Sequence, residues 1–334
     1  MDSTPDISNM HRMITDFPGQ FAKGFDLALK TEIKTPVERI ILTGMGGSAL
    51  AGNLINIGFV EDITTPLLIS RNYTIPFPLD EKTLVIANSF SGNTEETLSA
   101  YAQAIESGAQ VVAMASGGKL LDLAMKDGVQ YIKTIKESPD FQPRMSSGYI
   151  FAILTALLIK AGHLPWVAEK QVCEMSDWLA TINTELPGKQ LGESLLNTIP
   201  LIYTSDTYWP VARIAKIKLN ENAKIPAFWS TFPELNHNEM VGFSNTQDNY
   251  RIVMLRDSSD NPRINRRMET TADVLRGQGI GLKATIWDMM GHSRLEKIFS
   301  TLMVMDWTSY YLAMRMGIDP TPVKLVEDFK VLLK

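Results

Sequence analysis

One cysteine, Cys173, stands in a chain of 334 residues. No intrachain disulfide can form, which fits a reducing compartment. Histidine is almost as scarce. His11, His163, His237 and His292 are far apart, none has a close His or Cys partner, and neither HExxH nor CxxC occurs. The chain therefore offers no metal-ligand pattern. It has no basic tract, and its net charge is −5, which argues against nucleic acid as the main partner. No apolar run reaches the ~20 residues of a membrane span. The opening MDSTPDISNMHRM has an acidic flank and no apolar core segment, so no signal peptide is expected. What is present is an ordinary globular composition, 45% hydrophobic and 21% charged, with length enough for two domains and a large core. The expectation is a cytoplasmic protein with no metal and no other cofactor. An anionic small ligand is allowed, held by backbone amides and a few placed cations.

Hydrophobic patterning alternates between strand and helix. Pro5–Lys30 reads as a leading helix. Short apolar runs bounded by turn residues follow at Glu38–Gly44, Pro66–Ser70, Thr83–Ser89, Ala109–Ala115 and Val129–Thr134, with helical segments at Ser48–Phe59 and from Glu95. A long apolar helix, Met145–Gly162, and a second helix, Trp166–Thr184, separate this half from another. There the alternation resumes with Ile199–Ser205, a helix about Pro210–Asn222, the segment KIPAFW, Tyr250–Arg256, a helix about Asn261–Arg276, and Leu282–Asp288. The helix Leu295–Met316 and a short helix after DPTP close the chain. This predicts two α/β domains with parallel sheets between helical layers, residues 1–150 and 151–334, plus helical terminal segments.

Two loops carry more glycine and hydroxyl than a turn needs. TGMGGSALAG (Thr43–Gly52) joins a strand to a helix and matches G-x-G-x-x-G/A through Gly44, Gly46 and Ala49. A dinucleotide site also needs an acidic residue at the end of the second strand, but that strand ends ISRN, so NAD is disfavoured. The absence of GK[ST] excludes a P-loop. NSFSGNTEET (Asn88–Thr97) places Ser89, Ser91 and Thr94 at the mouth of the next helix. One hydroxyl would cap it. Two such loops at one sheet edge suit a single phosphate, because free helix N–H groups and the helix dipole both favour an anion. Gly46 and Gly47 would let the backbone approach the ligand, and Ser48 adds a hydroxyl. The plainer alternative is a pair of tight turns with caps.

The Gly-Gly-Ser loop and the S-x-S-G-x-T loop resemble those of the SIS (sugar isomerase) domain family. With the two-domain layout, the chain is similar over nearly its whole length to the bifunctional phosphoglucose/phosphomannose isomerases of archaea and bacteria. The resemblance implies two flavodoxin-like SIS domains in αβα layers, hexose 6-phosphate substrates, and a homodimer with shared active sites. It also implies that Arg144, in QPRMSSG, faces the substrate near the reacting carbons. A cation just before a long helix opposes the helix dipole, so stability does not explain it.

Around KIKLNENAKIP (Lys216–Pro226), Ile214, just ahead of it, and Ile217 and Glu221 within it fall on one helical stripe. A carboxylate there, near a helix C-terminus, is in two unfavourable places and is a candidate base. The segment NENAK matches the family's catalytic glutamate segment. PELNHNEMVGF carries His237, and the resemblance gives it the opening of the sugar ring, a task suited to imidazole, whose ordinary pKa is near neutrality. Glu234 and Glu239 read as supporting or surface groups. The family has a lysine near its C-terminus. Lys324 and Lys330 both qualify, and Lys330 fits the family's closing Leu-Lys pattern through Phe329-Lys330. Thr321 would, by analogy, help admit both C2 epimers. The expected activity is aldose–ketose isomerisation of glucose 6-phosphate and mannose 6-phosphate with fructose 6-phosphate through a cis-enediol. The alternative is a sugar-phosphate sensor without turnover.

Overall fold

The computed structural model describes residues 5–245, 249–277 and 282–333. The chain divides into two compact units. One is Asp16–Thr181; the other joins the N-terminal segment through Thr15 to the chain from Ile182 onward. The boundary expected at residues 150 and 151 does not coincide with this division, because the two long helices after the first sheet pack with that sheet's unit.

In the Asp16–Thr181 unit five parallel strands lie in the order β2-β1-β3-β4-β5: β1 (Arg39–Thr43), β2 (Leu68–Ser70), β3 (Thr83–Asn88), β4 (Gln110–Ala115) and β5 (Gln130–Lys133). β3, TLVIAN, is buried at every position, as a central parallel strand covered on both faces must be. Helices α3 (Gly47–Gly58), α4 (Glu95–Glu106) and α5 (Lys119–Asp127) follow β1, β3 and β4. Ala100, Tyr101 and Ala104 of α4 and Leu120, Leu121 and Ala124 of α5 pack on Ile41, Val85, Ala87, Val111 and Ala113. The helix α6 (Ser147–Lys160) is apolar all round, and all but its last residue are buried, against α2 (Gln20–Ala28), α3 and α7 (Val167–Thr181). The leading helix expected over Pro5–Lys30 is broken: α1 (Met10–Thr15) and α2 are separated by a 3-10 turn at Phe17–Gly19, where Pro18 has no N–H to continue a helix.

The second unit has four parallel strands in the order β7-β6-β8-β9: β6 (Ile199–Ser205), β7 (Phe228–Phe232), β8 (Tyr250–Arg256) and β9 (Lys283–Asp288). β7 takes in only the last two residues of KIPAFW and runs three residues past it, and α8 (Glu185–Ser194) is a helix that the sequence patterning does not predict. Helices α9 (Trp209–Glu221), α10 (Pro262–Arg276) and α11 (Arg294–Arg315) complete the unit with α12 (Lys324–Leu332). α11 starts with a capping box, Ser293 accepting from the Glu296 N–H while Glu296 accepts from the Ser293 N–H. By topology β6, β7, β8 and β9 repeat β1, β2, β3 and β4. No helix among the described residues is long and apolar enough to cross a membrane.

Candidate active site

The first sheet changes winding direction between β1 and β3, so the crevice at their carboxyl ends is the expected ligand site of such a sheet. Both glycine and hydroxyl loops lie there. α3 begins with Gly46 at its N-cap and α4 with Thr94, and no side chain caps either helix. Two helix N-termini on neighbouring strands therefore meet at one edge, although in α3 the Ser48 and Ala49 N–H groups already donate to the Met45 and Gly46 carbonyls, each at 3.1 Å.

The hydroxyls divide their work. Ser91 is exposed and its Oγ accepts from the Asn93 N–H at 3.3 Å. Ser89 is buried; its Oγ shares a 2.8 Å hydrogen bond with Thr94 Oγ1 and accepts from the Thr94 N–H. Ser48 is not the open hydroxyl that the sequence suggests. It is 4% exposed and its Oγ accepts from the Phe90 N–H at 3.1 Å, while Asn88 Nδ2 donates to the Ser48 carbonyl at 2.7 Å. Ser48 thus ties one loop to the other.

Two glycines are fixed by close approach. A Cβ on Gly47 would stand 2.8 Å from the Pro143 carbonyl and 3.0 Å from the Arg144 nitrogen, so only glycine lets the first loop touch the 3-10 turn Pro143–Met145. Gly92 has φ +70° and its Cβ would meet the Gly117 carbonyl oxygen at 1.8 Å. Arg144 itself is 4% exposed, not a solvated loop arginine, and its Nη1 donates to Gln142 Oε1 at 3.5 Å. This unit therefore brings Gly46, Gly47, Ser48, Ser89, Ser91, Thr94 and Arg144 into one neighbourhood.

Glu221, His237 and Lys330 belong to the other unit. Glu221 ends α9 and is half-buried; the buried stripe of the helix runs one position aside, through Lys218 and Asn222. Lys224 Nζ donates to the Glu221 carbonyl and, at 3.0 Å, to that of Pro320, next to Thr321. His237 is exposed on the 3-10 turn Glu234–His237. Its flanks are held: Leu235 is buried, Asn236 Nδ2 donates to Thr271 Oγ1 at 2.8 Å, Arg267 Nη1 donates to Asn236 Oδ1 at 3.2 Å, and the Tyr203 hydroxyl donates to Glu239. Glu239 is thus a support. Lys330 is exposed on α12, and Lys324 pairs with Asp328 at 2.6 Å.

The family model for the C-terminal SIS domain of bacterial phospho-glucose isomerase matches residues 184–333. A bifunctional phosphoglucose/phosphomannose isomerase of Caldicellulosiruptor bescii is 37% identical over 336 residues, covering 96% of this chain and 98% of its own. The chain belongs to the bifunctional phosphoglucose/phosphomannose isomerase family. A D-glucosamine-6-phosphate 4-epimerase of Sulfolobus acidocaldarius is 33% identical over 227 residues, 67% of this chain and 69% of its own. A glucosamine-6-phosphate deaminase structure from Thermotoga maritima superposes with TM-score 0.70 at 16% identity, covering 93% of this chain and 96% of its own, and shares the fold.

In this member of the phosphoglucose/phosphomannose isomerase family the second sheet fills its own edge. The loop after β8, DSSDN, is the topological equivalent of the Ser89–Thr94 loop. Asp257 there is 7% exposed and accepts from Lys297 Nζ at 2.7 Å, from the Ser259 N–H and Oγ, and from the Tyr208 hydroxyl at 2.7 Å. Burial alone would raise the Asp257 carboxyl, but the bonds from Lys297, Ser259 and Tyr208 outweigh it and hold it below the usual carboxylate range. An internal carboxylate takes the donors that an anion would take. The sequence signal for this was an aspartate standing where the first loop has a serine. Its partner Lys297 is 40 positions away, beyond any local pattern.

Proposed function

We propose that the protein is an isomerase that interconverts glucose 6-phosphate and mannose 6-phosphate with fructose 6-phosphate, without a metal. The observation that carries this is the pair of side-chain-free helix N-termini flanking the switch point, with Arg144 packed against Gly47, in a chain of this family. The phosphate would lie at the N-termini of α3 and α4, chiefly on the first-turn N–H groups of α4, with Ser91 and Thr94 as hydroxyl donors. Binding energy from this non-reacting end orients C1 and C2. His237 would exchange protons with the ring oxygen and the C1 hydroxyl to open the sugar. Glu221 would take the C2 proton and return it at C1, which contributes ~10²–10⁴-fold. Arg144 would stabilise charge on the enediol oxygens, and Lys330 would add a second cation.

The second sheet supports a homodimer. In a parallel β-α-β unit the helix runs back to the amino edge, so Glu221, at the end of α9, and His237, just beyond β7, lie at opposite edges of the same sheet. β7 has five residues, and at ~3.3 Å per residue the sheet separates the two edges by about 16 Å. That separation supports a reading in which a site using both groups takes its histidine from a second copy. α12 supports an association. It has nine residues and none is buried, with Leu325 85%, Phe329 58% and Leu332 87% exposed. A helix that short is marginal without a partner surface.

The test is purified protein with fructose 6-phosphate in EDTA, products resolved by NMR. Both aldose 6-phosphates are expected. Glucosamine 6-phosphate is run in parallel, because one relative is named as a 4-epimerase. No aldose from fructose 6-phosphate would overturn the proposal.

A further inference from the structure

The most deeply buried charges of the second unit lie one turn before Glu221. Lys218 of α9 and Asp306 of α11 are each 1% exposed and form an ion pair. One turn further, Asn222, fully buried, donates through Nδ2 to Ser309 Oγ at 2.9 Å, and Ser309 Oγ donates to the Asp306 carbonyl at 3.0 Å. Lys218 and Asn222 are i and i+4, so both project from one stripe of α9, and Asp306 and Ser309 are i and i+3 on α11. The two helices are pinned at two successive levels.

Such a pair is a poor way to gain stability. Desolvating two charges costs about as much as their attraction returns, and apolar replacements of similar volume are often as stable. What a polar pair does supply is register, since it is satisfied at only one rotation and one axial setting. The other buried residues of α9 are Pro210, Val211, Ala212, Ile214, Ala215 and Leu219, none of them polar. Glu221 is three positions after Lys218, about one turn along the helix. A slip of α9 by one residue would turn it by ~100° and shift it by ~1.5 Å.

We propose that the Lys218–Asp306 pair, with Asn222–Ser309, is a register lock, and that these four are positioning residues for Glu221. This rests on Glu221 being the base. The lock explains why NENAK has a buried asparagine directly after its glutamate, and why a charge stands inside the stripe.

The experiment replaces both charges together, K218M/D306L, and compares it with E221Q. Melting temperature, KM and kcat are measured with fructose 6-phosphate. The double variant should melt at or above the wild-type temperature and keep KM within twofold, while kcat falls at least tenfold. Ser309→Ala should lower kcat about threefold or more, and Ser309→Thr, which keeps the hydroxyl, should restore most of it. An active K218M/D306L beside an inactive E221Q overturns the lock and leaves the base assignment standing. A double variant that fails to fold also overturns it, because the pair would then be a stability element. An active E221Q overturns the base assignment itself, and the lock with it.

Discussion

Ser91→Asp puts a carboxylate where the phosphate is proposed to lie. Ser91 is exposed, so the substitution asks nothing of the core, and the backbone of the loop is held independently by Gly92 against Gly117 and by Ser89 with Thr94. At a separation of ~4 Å two unit charges repel by about 1 kcal/mol in water and about 4 at an effective dielectric of 20. A phosphate near −2 doubles this, and the exposure of Ser91 favours the lower end. About 2 kcal/mol is expected, or roughly a 30-fold rise in KM. Ser91→Ala is the companion variant. It loses one hydroxyl contact, about 1 kcal/mol or fivefold. Salt separates the two, because raising it screens the aspartate and leaves the alanine defect in place. Steady-state assays with fructose 6-phosphate from low to 0.5 M salt (~4 Å Debye length) read both effects. An unchanged KM in Ser91→Asp, with the fold intact by circular dichroism, would refute the phosphate site at this loop.

Mixed dimers test the shared site. Glu221→Gln and His237→Ala proteins should each be nearly inactive, and mixing them under subunit exchange should recover roughly a quarter of wild-type activity, since half the dimers are mixed and half their sites are intact. Proven exchange without recovery would put both residues in one subunit's site. Asp257 gives a pH signature. Its folded-state carboxyl lies below the ordinary value, so its contribution to stability is complete above about pH 4 and is lost as pH falls through the folded-state value. Urea melts from pH 3 to 7 should show that loss in the wild type and not in Asp257→Asn. That variant should be less stable near neutrality by roughly 3–5 kcal/mol, because Lys297 is left buried and unpaired. Lys330→Met should lower kcat tenfold or more and Lys324→Met less than twofold; the reverse order would move the lysine's role to Lys324.

Most of the fold was legible because its elements carry local signals. The run TLVIAN could only be a covered strand, and SGYIFAILTALLIK only a buried helix. The glycine and serine loops were legible as strand-to-helix connections at one sheet edge, because glycine and hydroxyl residues mark where a strand ends and a helix begins. Three features were not legible. The hydroxyl of Ser48 is spent on Phe90, 42 positions away. The stripe of α9 was read one position out, since Ile217 and Glu221 are half-buried while Lys218 and Asn222 are buried. A lysine inside a stripe looks like a surface residue until Asp306, 88 positions on, supplies its partner. The division of the chain after Thr181 was likewise hidden, since nothing in the α6–α7 sequence tells which sheet those helices will cover. Pairings made across long stretches of chain have no local cause and leave no local pattern.

The proton transfer proposed for Glu221 has a direct readout. Fructose 6-phosphate is incubated with the protein in D₂O, and the aldose products are examined by NMR for deuterium at C2. A carboxylate that removes the C1 proton of fructose 6-phosphate, leaving an enediol, holds that proton where it can exchange with solvent before delivery to C2, so deuterium should appear at C2 of glucose 6-phosphate and mannose 6-phosphate. Glu221→Gln should bind the sugar and neither isomerise nor exchange it, with turnover down ~10²-fold or more. Exchange and turnover that persist at the wild-type rate in Glu221→Gln would contradict the account.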